Sequence, residues 1–555
     1  TNSTYTSGAL TQTTQFRAVV QSGSCATLDS TPTTVTIGGS TTWNGSAWNN
    51  GAPTSTTAAI IAGNYTSATN GGGFSACTLT VSSGTVVISS GDNITLEGAL
   101  TVSSGSFTLE NNANLIQNTD VANSGNIIVN RNTAALMRQD YVMWSAPVAG
   151  QQLQAFSPQT LSNRFYAFDG SLGSAGQYVA TAATGSFSSG TGYLIRMPNN
   201  HPATPTVWSG TFTGVPKNGP VTFNSLNANQ YYSIGNPYPS TIDADEFIND
   251  NSLTDPLYFW RKTNNAATSS YATYTLAGGV SNSGGDPLGL IPNGFIQVGQ
   301  GFIARVPTGG SSLAFTNTMR LGNNGDQFLR MQFERHRYWL NLTDDTGYFG
   351  QMMVAYMTGA TNGYDPAIDG LFFGDSQTAL TTIVDNQEYV IQGRALPFET
   401  TDTVILGFKS ELGGNYTIAL NNFDGLFDTQ SQDIYLKDNL TNTRTNLKVA
   451  PYLFTTEAGV FNDRFEVVYE NFLGVEQPDS GNNIVVYKQN QEVVINSGAI
   501  NMSTVQLYDI RGRLLVEKNN LPGSEVRMNV GNINQVLIVK ITTSAGEIVT
   551  KKIVN

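Results

Sequence analysis

Leu79-Thr80-Val81-Ser82-Ser83-Gly84 recurs as Leu100-Thr101-Val102-Ser103-Ser104-Gly105, 21 residues further along the chain. In each copy the two apolar residues stand two apart, the period of a strand with one buried face, and a Gly closes the run. From Thr41 to Asn130 the same short bursts continue: Val86 and Ile88, Ile94 and Leu96, Phe107 and Leu109, Leu115, then Ile127 to Val129. A fixed period with Gly or Asn at each corner predicts the coils of a small β-helix over residues 39–135, each rung stacking its inward residues on the last. A chain of ordinary hairpins is the alternative that the repeat leaves open.

Beyond the repeat, turn residues punctuate alternating apolar and polar segments throughout, so the whole chain reads as all-β and multidomain. A length of 555 residues suits about four domains at ~150 residues each. Residues 136–333 form a β-rich domain with aromatic clusters such as Tyr141-Val142-Met143-Trp144 and Tyr258-Phe259-Trp260. Its one good helix start is Asp243, with Glu246 three residues later able to cap reciprocally, after the Pro-fixed loop Gly235 to Ser240. Residues 334–472 read as a β-sandwich domain, 473–483 as a Gly, Pro and Ser linker, and 484–555 as a compact Greek-key sandwich. Residues 1–38 hold too few strands for a sandwich.

Charge narrows the function classes. Only 12% of residues are Asp, Glu, Lys or Arg, against a typical ~25%. The net charge is −13, and no Lys or Arg occurs between Ala18 and Asn130, so nucleic acid is excluded as a partner. Membrane insertion is not expected, since no apolar run reaches roughly 18 residues. The C-terminal segment 484–555 differs: eight Lys and Arg against five Asp and Glu give +3, leaving −16 for the rest. The chain opens Thr1-Asn2-Ser3, which reads as a processed or truncated start.

Two stretches carry a family resemblance. Leu10 to Val20, followed by Gly23 and Cys25, resembles the closing strands of a bacterial immunoglobulin-like domain. The C-terminal blocks Val505 to Leu515, with Tyr508, Asp509, Gly512, Arg513 and Leu514, then Leu537 to Thr542, with Lys540 and Ile541, then Gly546, Lys551 and Lys552, resemble the type IX secretion sorting domains of Bacteroidetes. That resemblance implies an export address, recognised by the translocon and its outer-membrane shuttle protein. It further implies an extracellular, cell-surface location, with surface lipopolysaccharide or polysaccharide as a partner. The chain departs from the commonest pattern where Tyr487 runs into Lys488-Gln489-Asn490 and where Gln535-Val536 precede the Lys-Ile strand, which points to a minority flavobacterial subtype. Segments such as Thr42 to Trp48 and Trp144 to Val148 also resemble those of flavobacterial surface proteins. In an oxidising periplasm Cys25 and Cys77 could bridge, or Cys25 could pair with an upstream cysteine. Asp29-Ser30-Thr31 and Asp402-Thr403-Val404 resemble the O-glycosylation tripeptide of this phylum, with Ser30 in an exposed loop and Thr403 shielded by a strand.

Catalytic signatures are sparse. Two cysteines and two scattered histidines do not suit structural zinc, and no cofactor is expected. His201 and His336 read as surface residues, and no nucleophile elbow or phosphate loop occurs. Asp243, Asp245, Glu246 and Asp250 cluster in sequence as a glycosidase pair would, although capping explains Asp243 and Glu246. Structural calcium could draw on Asp344-Asp345, Asp365 with Asp369, or Asp424 with Asp428, which read equally as turn residues. Trp43 and Trp48 could stack on sugars or pack as a pair at the start of the β-helix. Together these features predict a non-enzymatic, adhesin-like surface protein. The alternative is a secreted polysaccharide-binding protein or glycoside hydrolase, which needs an acid pair in a wide cleft.

Overall fold

A computed structural model describes residues 4–7, 14–35, 38–261, 271–281, 291–322, 335–346, 348–373, 376–470, 484–489, 491–497, 501–521, 523–531, 536–544, 546 and 548–553. The linker expected at 473–483 and residues 10–13 of the immunoglobulin-like stretch lie outside them. The chain is all-β and falls into two compact units, Thr1–Glu470 and Asn471–Asn555.

The 21-residue repeat builds a three-sided parallel β-helix. One side stacks Ser40–Trp43, Ala58–Ala62, Thr78–Ser83 and Leu100–Val102; the second begins with Tyr65–Thr66, Thr85–Ile88, Ser106–Leu109 and Ile127–Asn132; the third stacks Phe74–Ala76, Asn93–Leu96 and Asn114–Gln117. Register follows the repeat, because Leu79 sits on Leu100, Val86 on Phe107 and Ile94 on Leu115. All six are fully buried. Polar residues stack likewise, the Asn114 amide donating to the Asn93 side chain at 2.9 Å. The first rung is closed by aromatics: Trp43 lies edge-on to Trp48 at 5.7 Å and to Tyr65 at 5.2 Å, the packed-pair reading of the two tryptophans.

The boundary expected at 135/136 does not separate two bodies. Strand Ser209–Pro216 pairs antiparallel with Ile127–Asn132, so the second side of the β-helix continues into the next segment. One core runs from Trp43 through Trp144, Phe156 and Phe212 to Val298. The Gly235 to Ser240 loop is buried against the third side, with the Leu115 N–H donating to the Pro239 carbonyl at 2.8 Å. Beside it the Arg320 guanidinium, also buried, donates to Ser240 Oγ at 3.1 Å, Asn218 Oδ1 at 2.7 Å and the Leu115 carbonyl at 2.5 Å.

The expected boundary at 333/334 is bridged too. Trp339 and Met353 pack on Ala277 and Val280, and the Trp339 indole donates to the Gly279 carbonyl at 2.9 Å. Strands of the expected sandwich form one eleven-stranded sheet, a hydrogen-bonded path of ten from Thr443–Asn446 round to Tyr452–Thr456 with Gly370–Leu371 pairing beside it on Gln387–Arg394, curled about a core that includes Tyr338, Phe408 and Phe465. Wide curling is what lets one sheet cover its own apolar face.

In the N-terminal stretch only two small ribbons are described, Thr14–Phe16 with Thr33–Val35 and Val19–Val20 with Leu28–Asp29. The C-terminal unit is a two-sheet sandwich. Val485–Gln489, Glu492–Asn496 and Glu525–Asn529 form one sheet; Leu514–Asn519, Met502–Asp509, Leu537–Thr543 and Ile548–Ile553 form the other. Leu537–Thr543 returns beside Met502–Asp509 after a crossing, the Greek-key connection.

Corner glycines are the tightest points of the β-helix. Gly105 has φ +79°, and a Cβ there would collide with the Gly84 carbonyl, whereas Gly91, at φ +87°, has open space around it. Gly91→Ala should therefore cost only the left-handed backbone term of about 1–2 kcal/mol, and Gly105→Ala should add an overpacking term of about 1–3 kcal/mol. Denaturant unfolding of the two variants checks this, and equal losses would contradict the rung geometry.

Burial also sets an alkaline limit. It pushes the phenols of Tyr65 and Tyr348 up from 10 to about 12. Above pH ~10 the unfolded chain releases those protons while the folded chain retains them, so stability falls as pH rises, by up to ~1.4 kcal/mol per pH unit for each tyrosine. Melting temperature should hold to pH ~10 and drop towards pH ~12, and Tyr65→Phe should reduce the slope.

Candidate functional site

Two places collect polar chemistry. The first is a cavity of about 740 Å³ in the segment that follows the β-helix. Its wall is strand Ser209–Pro216, where Ser209, Thr211 and Thr213 face outward while Phe212 is buried. Phe212 stacks on Phe156 at 4.3 Å, and the half-buried Trp208 meets Phe156 edge-on at 5.5 Å, placing an indole at the rim. The Gln151 side chain accepts from the Thr213 N–H at 2.8 Å and donates to the Gln152 carbonyl at 3.0 Å, tying the short helix Leu153–Phe156 to the strand. Among the described residues no Asp, Glu, Lys or Arg lines this cavity.

His201 lies in its wall and is buried, not on the surface as its polar Asn-Asn-His-Pro setting suggests. Its Nε2 sits 2.9 Å from the Leu136 carbonyl and 3.1 Å from that of Thr206. Both neighbours are acceptors, so Nε2 carries the proton and Nδ1 is left as an acceptor in the neutral ring. His336 is also tied down, its Nδ1 accepting from the Leu426 N–H at 3.2 Å.

The acidic clusters do not converge. Asp243 is buried and caps helix Ala244–Asp250 by accepting from the Asp245 and Glu246 N–H groups, at 2.9 and 3.3 Å. Asp245 accepts from the Tyr274 hydroxyl at 2.7 Å, and burial raises its pKa above the usual carboxylate value. Glu246 and Asp250 are exposed. Asp365 and Asp369 bind backbone N–H groups of Thr361, Asp365 and Gly393, and burial pushes Asp369 up to about 7. Asp344 closes a turn onto the Tyr348 N–H at 2.8 Å, Asp345 accepts from Asn415, and Asp424 pairs with Arg337 at 2.6 Å. Asp428 lies in the short helix Leu426–Thr429. Among the described residues no three His, Cys, Asp or Glu are grouped to hold a metal ion.

Cys25 is an exposed free thiol and Cys77 a half-buried one. Cys77 occupies a β-helix corner, where its N–H donates to Thr57 and its carbonyl accepts from Gly98. Ser30 is exposed, with Oγ accepting from the Ala18 N–H at 2.9 Å. Thr403, expected to be shielded, is exposed as the first residue of its strand, whereas Asp402 before it is held by Arg394 and the Tyr356 hydroxyl.

The second place is the four-stranded sheet of the C-terminal unit. Tyr508 pairs with Leu514 on one side and Ile538 on the other, and Ile538 pairs with Lys552, so four strands contribute to one row. Lys540, opposite Gln506, stands in the next row. Lys551 pairs with the buried Val539 on the edge strand, placing a charge where another strand would otherwise add. At the end of the sheet Asp509 accepts from the Arg513 and Arg511 N–H groups at 2.9 and 3.0 Å, and Gly512 takes φ +78°. The Arg513 hydrogen bond, foremost, holds the Asp509 carboxyl below the usual range. Ile541 is in the core, and Gly546, at φ +88°, turns the chain at the opposite end. The motif thus divides into a hairpin, a cross-strand face and a distant turn.

The Trp208 cavity escaped the sequence reading because its walls come from separate segments. The signal present was local: Ser209-Gly210-Thr211-Phe212-Thr213-Gly214 alternates outward hydroxyls with small or aromatic inward residues.

Comparison with known families places three matches along the chain. All carry the description domain of unknown function: DUF8696 over residues 1–39, DUF8693 over 36–469 and DUF8694 over 473–555. No curated protein matches the chain. The DUF8693 match covers the β-helix, the layer beyond it and the eleven-stranded sheet, well over half the residues, and the chain belongs to the DUF8693 family.

Proposed function

We propose that this chain is a non-enzymatic, adhesin-like cell-surface protein exported through the type IX secretion system by its C-terminal domain. The observation that carries the reading is the independence of that domain. It forms a separate compact unit with its own core around Val505, Leu507 and Val539, and is matched by its own family model over residues 473–555. An export address needs to fold and be recognised whatever cargo precedes it, and a self-contained sandwich meets that need. Its surface chemistry fits too, since Lys540, Lys552 and the exposed Arg513 give the sheet and its hairpin a basic character that the acidic remainder lacks.

A second reading, in which the chain also binds polysaccharide, is favoured by the uncharged cavity beside Trp208. Hydrolysis is not part of either reading, because Asp243 caps a helix, Asp344 closes a turn and Asp424 is ion-paired, while Glu246 and Asp250 stand exposed on the same short helix.

In a bacterium that possesses the type IX system, removal of residues 481–555 should leave the remainder inside the cell envelope. Fusing residues 473–555 to a periplasmic reporter should send the reporter to the surface. Protease accessibility on whole cells reads both, and normal display of the truncated chain overturns the assignment.

A further inference from the structure

We propose that the cavity beside Trp208 is a binding site for an uncharged, hydroxyl-rich polysaccharide chain. The inference rests on the second reading above and supplies its site and ligand class. It starts from which hydrogen-bonding groups are already committed. Ser209 Oγ donates to Asn132 Oδ1 at 2.6 Å, and Thr211 Oγ1 donates to Asn130 Oδ1 at 3.0 Å. Each hydroxyl has one proton, and each spends it on the neighbouring strand, so both oxygens face the cavity as oriented acceptors. Gln152 donates its amide to the Thr184 carbonyl at 3.1 Å, which leaves its side-chain carbonyl oxygen, Oε1, as a further acceptor. His201 adds Nδ1, since Nε2 is held by two carbonyls.

Successive outward residues of a strand stand ~7 Å apart, so Ser209, Thr211 and Thr213 form a row of hydroxyls ~14 Å long. Beside this row of acceptors lies the Trp208 indole, half-exposed, whose N–H makes no hydrogen bond among the described residues. Such a surface asks for a ligand that brings many donors, a few acceptors and an apolar ring face, with no net charge. A neutral sugar polymer has all of these, with C–H faces for the indole and hydroxyls for the row. A polyanion has the donors but also a charge that no lining residue neutralises, in a chain that is itself at −13.

Titration calorimetry of the full chain with a neutral β-glucan, a galactomannan and a xylan, and with polygalacturonate and chondroitin sulfate as charged comparators, tests the assignment. At least one neutral polymer should bind saturably and more tightly than either polyanion. Trp208→Ala should weaken that binding at least tenfold. Because Trp208 also packs on Phe156, the exposed-face variant Ser209→Ala/Thr211→Val provides an independent test, with an expected loss of several-fold in a chain that still unfolds cooperatively. Absence of binding by all three neutral polymers, polyanion binding as tight as theirs, or binding unaltered in both variants would overturn the proposal. Whole-cell display of Trp208→Ala separates this from the export assignment: normal display with lost binding leaves both intact, and normal display without any polysaccharide binding removes only this one.

Discussion

Successive rungs of the β-helix meet at a corner where no side chain fits. Gly63, Gly84 and Gly105 follow one another at 21-residue intervals, and a Cβ on any of them would run into the backbone of the rung before it. Removing the side chain lets the backbones approach, and the approach lets Leu79, Leu100 and their counterparts stack in register with nothing between them. A solenoid of this kind has a weakness at each end, where a rung has no neighbour to cover its apolar interior. Trp43, Trp48, Tyr65 and Phe74 fill the first end as a cluster of edge-to-face rings. At the far end the chain recruits distant segments, and that recruitment shapes the rest of the large unit.

Three connections make that far end. Ser209–Pro216 extends the second side by antiparallel pairing, Phe156 and Phe212 continue the core, and the Gly235 to Ser240 loop lies on the third side. Arg320 fixes the last of these without any carboxylate partner among its hydrogen bonds. Its guanidinium is satisfied by Ser240, Asn218, Asn317 and the Leu115 carbonyl and rests 4.8 Å from the Tyr238 ring. Burial draws its pKa down to about 9, a sign of how much charge solvation the site replaces with neutral acceptors. Arg464 shows the other solution, a buried pair with Asp438 at 3.0 Å inside the eleven-stranded sheet. In the first case the geometry of planar donors joins four segments at once; in the second the opposite charge does the work.

Legibility in the sequence followed the distance between cause and partner. The β-helix was readable because its repeat places like residues on like, and the helix start was readable because Asp243 caps amides two and three residues ahead. The Asp509 to Arg513 hairpin was readable for the same reason, since the ligands of the Asp509 carboxyl lie within four residues. His201 was not, because its hydrogen bond to the Leu136 carbonyl spans 65 residues, and nothing in the polar turn around it foretells burial. The Trp208 cavity was hidden in the same way. Its wall alternates visibly, but its depth depends on the Leu153–Phe156 helix and on antiparallel pairing with Ile127–Asn132, neither of which the local pattern specifies. The pairing of Ser209–Pro216 with Ile127–Asn132 was hidden for a related reason: alternation marks strands but not which sheet they join.

Few charges impose a further requirement, because a 555-residue β-protein with only 12% charged residues must be solvated by Thr, Ser and Asn. On a strand such residues line up every second position, and when a neighbouring Asn takes a hydroxyl proton the remaining lone pairs point outward together, as at Ser209 and Thr211. On the polysaccharide-binding proposal, solvation and recognition draw on the same groups. Water satisfies those acceptors in the free chain, and a ligand competes with it best by presenting hydroxyls at a matching repeat together with a ring face for Trp208. The C-terminal unit carries a different surface, with lysines on its sheet and arginines on its hairpin. Two units with opposite net charge and separate cores thus carry different surface chemistry, one with oriented neutral acceptors and one with exposed positive charge, without either constraint disturbing the other's fold.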